Sequence, residues 1–128
     1  MTKAAPDAMI DASLDYVAAC DLMTVCSAEP TTYTLATANG ANKLADIAMT
    51  PGAGNGDFTK ANDTSGRKLT MTAKSAVAID YSDTALHVAL TLAAGTTLRY
   101  VTTCTSQALT SGGTVDIPAW KINIADPT

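Results

Sequence analysis

The chain has 128 residues, of which 47% are hydrophobic, only 5% aromatic and 16% charged, and it carries a formal net charge of -4. A chain of this length fits one domain with a core of its own, since roughly two thirds of the unfolded surface is buried at such sizes. Its 8 Lys and Arg are scattered, which argues against the clustered basic stripe of a nucleic-acid binder, and no apolar run approaches the roughly 20 residues that cross a bilayer.

Pro6 to Cys20 predicts a helix. Pro stands near its start, Asp7 and Asp11 lie in its first turns, and Ile10, Leu14 and Val17 share a face that Met9, Tyr16 and Cys20 widen. The stripe is expected to pack on a sheet of the same chain, with a neighbouring subunit as the alternative. Asp7, Asp11 and Asp15 also interrupt any apolar stretch of the kind a secretory signal needs, so the expectation is a protein made and used without export.

Leu22 to Ser27 reads as a first strand closed by Glu29-Pro30. Thr31 to Asn42, with turn chemistry at Asn39-Gly40, is either loop or a single helical turn, and Leu44 to Met49 follows as a second strand. Thr50 to Lys68 holds Pro51, Gly52, Gly54, Gly56, Asn62, Asp63, Ser65 and Gly66, and predicts the longest loop. Phe58, the only Phe, reads there as an anchor onto the core, with a partner contact as the alternative.

From Leu69 onward apolar residues alternate. Leu69, Met71 and Ala73, then Val77 and Ile79, give one long strand or two short ones broken at Lys74-Ser75. A hairpin through Tyr81, Ser82 and Asp83 is expected to lead into Leu86 to Leu92, and Ala94-Gly95-Thr96 turns that strand into Leu98 to Thr103. Ser111-Gly112-Gly113 opens a last strand running to Ile124. Its parity slips by one residue at Pro118-Ala119, which predicts a β-bulge with Trp120 in the core beyond it. The sum is a mainly β chain, an antiparallel β-sandwich or jelly-roll-like domain over residues 1–128, with an N-terminal helical segment at 1–21 and a β body at 22–128.

No catalytic, cofactor-binding or metal-ligating set emerges. The single His, His87, stands mid-strand, and parity places it with Ala85 and Ala89 on the face opposite Leu86 and Val88, toward solvent or an interface. Cys20, Cys26 and Cys104 lack a C-x-x-C pair and read as free thiols, a Cys20–Cys26 disulfide being the alternative. Gly52 to Gly56 misses both phosphate-loop spacings, and Asp57, Asn62 and Asp63 miss the EF-hand pattern. The residues by themselves therefore describe a strand-rich scaffold that is not an enzyme and takes no small-molecule substrate.

Two segments, Gly56-Asp57-Phe58-Thr59-Lys60-Ala61 and the run from Tyr100 to Trp120 closed by Asp126-Pro127, resemble small virion proteins of tailed bacteriophages encoded among head and tail genes. The resemblance implies a structural protein of the particle, first of all a capsid decoration or cement protein. Such proteins sit on the capsid exterior as trimers or other oligomers and clamp major capsid subunits. The implied partners are the major capsid protein and further copies of this chain, with assembly in the host cytoplasm and no role for nucleic acid or membrane. Tail, neck or fibre roles, including receptor binding through the long loop, are the alternative. The segments Met1 to Asp7 and Thr50 to Lys68 are least committed to a core, so Lys3, Asp7, Phe58, Lys60 and Arg67, together with His87, are the candidate interface residues.

Overall fold

The computed structural model describes residues 6–38, 42–54 and 56–126. In chain order the elements are α1 (Asp7–Ala18), β1 (Leu22–Cys26), α2 (Tyr33–Thr37), β2 (Lys43–Ala48), β3 (Phe58–Asn62), β4 (Arg67–Met71), β5 (Lys74–Ala78), β6 (Asp83–Leu92), β7 (Thr97–Leu109), β8 (Thr114–Ile117) and β9 (Trp120–Ile124). The protein is mainly β, its sheets antiparallel, and the arrangement is sandwich-like.

The principal sheet has the order β2-β1-β6-β7. Cross-strand partners place Met23, Val25, Ala45, Val88 and Leu90 on one face, where all are buried in the core. The opposite face is also buried at its centre, because α2 lies across all four strands and covers Thr24, Cys26 and Ala89. A sheet covered on both faces loses the apolar-polar alternation that a one-sided sheet shows. This corrects the parity reading of β6: Ala89 is buried rather than outward. The ladder also shifts between Ala85 and His87, so Ala85 is buried while Leu86, expected inside with Val88, is 40% exposed.

The second sheet has the order β3-β4-β9, and β5 pairs with β8 alone. Phe58, Leu69, Met71 and Ile122 share the inner face and are buried against Ile10 and Leu14 of α1. The helix lies where its stripe predicts, on a sheet of its own chain. Its last turn closes with the Ala19 N–H donating to the Asp15 carbonyl.

Three expectations along this half are overturned. The span 50–68 is not one loop: β3 and the start of β4 form a hairpin within it, because Phe58 and Ala61 find a β-ladder on Met71 and Lys68 that local turn density conceals. No hairpin joins β5 to β6. Asp80 and Tyr81 instead donate their N–H groups to the Leu44 carbonyl at 2.7 and 3.1 Å, carrying the chain from one sheet to the other. The last strand does not bulge at Pro118 but breaks there. β8 pairs with β5 and β9 pairs with β4, and the gap at Pro118-Ala119 faces the gap at Thr72-Ala73. Both parity sets thereby point inward: Val115, Ile117 and Ile122 are buried and Trp120 packs on the core.

Two positions test this backbone. Gly66 turns the β3–β4 hairpin at φ 72°, and a Cβ there would stand 1.9 Å from the Ile124 carbonyl oxygen. Gly66→Ala is expected to lower unfolding free energy by about 2–4 kcal/mol in a denaturant melt. Ala76 sits in β5 at φ 54°, a region an L-residue occupies at a cost, with its N–H held by the Asp116 carboxylate at 2.8 Å. Ala76→Gly is expected to raise stability by up to about 1 kcal/mol in the same assay.

Candidate functional site

Four of the candidate interface residues converge on the corner where α1 meets β3 and β4. Asp11 and Asp15 stand one helical turn apart on α1, and Lys60 and Arg67 project from the inner face of the hairpin beneath them. Arg67 grips Asp11 with two bonds, Nε to Oδ1 at 2.9 Å and Nη2 to Oδ2 at 3.2 Å, and Lys60 reaches Asp15 at 2.7 Å. These cations fasten the helix to the sheet. A bidentate Arg–carboxylate pair fixes geometry as well as charge, and the Asp11 hydrogen bond raises the Arg67 pKa further. Asp7 is exposed in the first turn nearby. Phe58 is fully buried under α1, so its ring meets the core and presents no surface to a partner.

The other two candidates lie apart. Lys3 falls outside the described residues, as do Asn39-Gly40 and residues 1–5 of the Met1 to Asp7 segment that the sequence reading offered as a contact. His87 is half-buried in a central strand between Cys26 of β1 and Thr103 of β7, with a buried Nδ1 that finds no hydrogen-bond partner. The structure therefore gathers Asp7, Lys60 and Arg67 and leaves His87 on a different sheet.

The structure also holds a concavity that sequence reasoning missed. Between β7 and β8 runs a cleft with a cavity of about 240 Å³, walled by Val88, Cys104, Leu109, Val115, Ile117 and Pro118. It continues toward Trp120 and Lys121 past Thr102 and Thr103. Tyr100 and Trp120 stack at 6.1 Å between ring centres, linking β7 to β9. On the residue before Tyr100, Arg99 lies 3.8 Å above the Tyr16 ring and donates to the Tyr16 carbonyl at 2.6 Å, tying the start of the strand to the end of α1. The signal in the sequence was a gap in charge: no charged residue occurs from Tyr100 to Val115.

The cysteines are free. Burial pushes the Cys20 thiol up to about 11, and burial raises Cys26 and Cys104 as well, so all three are protonated at neutral pH. Among the described residues no group of three His, Cys, Asp or Glu side chains is placed to hold a metal ion, and no helix is long and apolar enough to cross a membrane. Compared with known protein families, curated proteins and solved structures, the chain matches none.

Charge pairs elsewhere hold loops to the body. Lys43, almost wholly buried, pairs with Asp46 and with Asp80 at 3.3 Å; burial alone would depress its pKa, but the two carboxylates outweigh it and raise the value. Burial similarly works to raise Asp57, and the Lys74 ammonium at 2.8 Å with the Thr50 N–H at 2.6 Å more than offsets it. Asp11 is lowered first by Arg67, and Asp63 first by Lys121. Carboxylates held below their ordinary 3.8 contribute stability that is present above that value and lost as pH falls through the lowered one. The melting temperature is therefore expected to hold near neutrality and drop below about pH 4. Asp57→Asn should lower the neutral stability by about 1–3 kcal/mol and flatten the acid limb, both read by calorimetry across pH.

Proposed function

We propose that this chain is a structural protein of a tailed-bacteriophage virion, and within that class a capsid decoration protein bound to the outer surface of the major capsid shell. The observation that carries the reading is the run from Tyr100 to Trp120. The segment that resembles such virion proteins forms most of the longest strand, β7, together with β8, and it walls the cleft beside them. The resemblance thus falls on a continuous surface feature.

The rest of the chain suits that role. Ion pairs fasten α1 to β3 and β4, and the Tyr100–Trp120 stack ties β7 to β9, a body suited to resisting load with little rearrangement. A decoration protein gains from repetition, because many modest contacts over a closed shell sum to strong retention. The surface offered is one of backbone groups, Thr hydroxyls and a shallow apolar cleft, which suits protein contacts better than turnover of a substrate. Receptor binding through the 50–68 span is the weaker alternative, since residues 58–62 and 67–68 of that span are committed to the β3–β4 ladder.

Purified protein should co-sediment with expanded, undecorated shells of a phage that encodes it, saturating at hundreds of copies per particle. A dozen or fewer copies, located at the vertex or tail by electron microscopy, would assign it to the neck or a fibre instead.

A further inference from the structure

Lys43 is the one buried cation among the described residues, at 5% exposure. An ammonium taken out of water is costly unless it is paired, and two carboxylates reach this one. Asp46 accepts a hydrogen bond from Nζ, and Oδ2 of Asp80 stands 3.3 Å from the same nitrogen.

The backbone brings the three together. Thr24 and Cys26 share a face of β1 and pair with Asp46 and Lys43, so the register shift at Val25/Cys26 puts two residues that are three apart in sequence on one side of β2. Asp80 arrives from the β5 side and is clamped on arrival. Its N–H donates to the Leu44 carbonyl at 2.7 Å and the Tyr81 N–H to the same carbonyl at 3.1 Å, while Ile79 bridges to Ala45 and bonds to Gly112 and Gly113. Such a clamp removes in advance the freedom that two reacting groups otherwise lose. An amine and a carboxyl group held in contact, with a second carboxylate hydrogen-bonded to the amine, are the parts of an amide condensation.

We propose that Lys43 and Asp80 join through an isopeptide bond formed by the folded protein itself, with Asp46 carrying the protons. The ammonium passes one proton to Asp46 along their hydrogen bond, which leaves a neutral amine. Its lone pair attacks the Asp80 carboxyl carbon, a small rotation away from the ~3–3.5 Å of a near-attack geometry. The tetrahedral adduct then gives up a second N–H proton by way of Asp46. Both protons reach one Asp80 oxygen, the C–O bond breaks and water departs. The three ammonium hydrogens end as one amide N–H and one molecule of water, no oxidant or other reactant is consumed, and Asp46 is restored. The Asp46 and Asp80 side chains are 35% and 37% exposed, so the water has a way out. The charged pair is the major form beforehand, so the reaction is slow. It has to occur only once per molecule, because effective molarities of about 10⁵–10⁸ M favour the amide over its hydrolysis. The bond ties β2 covalently to the crossing that leads from β5, where the principal sheet meets the β5–β8 ribbon. It rests on the fold and does not require the shell reading.

Intact-mass spectrometry of the folded full chain should read one water below the mass of the sequence, and proteolysis should release a branched peptide joining residues 43 and 80. Lys43→Arg keeps the charge without a reactive amine and should hold its full mass. Asp46→Ala should convert at least about a hundredfold more slowly, the ordinary contribution of a positioned proton carrier. Asp80→Asn is the sharpest variant: it offers ammonia as the leaving group, so the same branched peptide should appear at one ammonia below the variant's own mass, whereas a simple ion pair predicts no bond there. Should Lys43→Arg misfold, the wild-type mass and the Asp80→Asn product decide. Wild-type protein that stays at full mass after prolonged incubation overturns the inference and leaves an ion pair. A water loss that maps to another position, or a bridge from Lys43 to Asp46, overturns it as well.

Discussion

The paired interruption at Thr72-Ala73 and Pro118-Ala119 is the constraint on which the architecture depends. Two strands that begin as one antiparallel ribbon must serve two places, β4 and β9 beneath the helix and β5 and β8 near the cleft. Pro118 has no N–H to give a ladder, so the ribbon parts there, and the opposite strand parts with it. Because the slip is one residue, the apolar side of each half is reset toward the core: Val115 and Ile117 before the break, Ile122 after it. A continuous strand with this sequence would put one of those sets in water.

With the ribbon set, α1 has one place to go. Its apolar stripe closes the open face over Phe58, Leu69 and Met71, and its acidic residues find cations at the rim. Lys60 and Arg67 are thereby engaged in holding the molecule together. An exposed salt bridge contributes little by itself, but the Arg67 pair is partly shielded and bidentate, which fixes the helix in one orientation. Surface left for partners is found elsewhere, along β7 and the cleft beside it.

That distribution separates two kinds of edge. Where the chain crosses between sheets, at Ile79 to Tyr81, the crossing itself caps β2 and brings Asp80 to Lys43. Where no crossing occurs, β7 pairs with β6 alone, and Arg99 on Tyr16 and the adjoining stack of Tyr100 on Trp120 brace it near its start.

The sequence by itself determined the local periods: the helix with Ile10, Leu14 and Val17 inward, the first strand, the β6–β7 hairpin around Gly95, the mainly β class and the anomaly at Pro118. These follow from neighbours within a few residues, where side-chain spacing and turn chemistry act directly. Only the tertiary structure decided which strand pairs with which. It hid β3 inside a Gly-rich span whose ladder partner is supplied by Met71 and Lys68, buried the second face of β6 under α2, and committed Lys60 and Arg67 to Asp15 and Asp11. The approach of Asp80 to Lys43 belongs to the same class of fact, because it is made by a chain crossing from one sheet to another, and no local pattern of side chains records that.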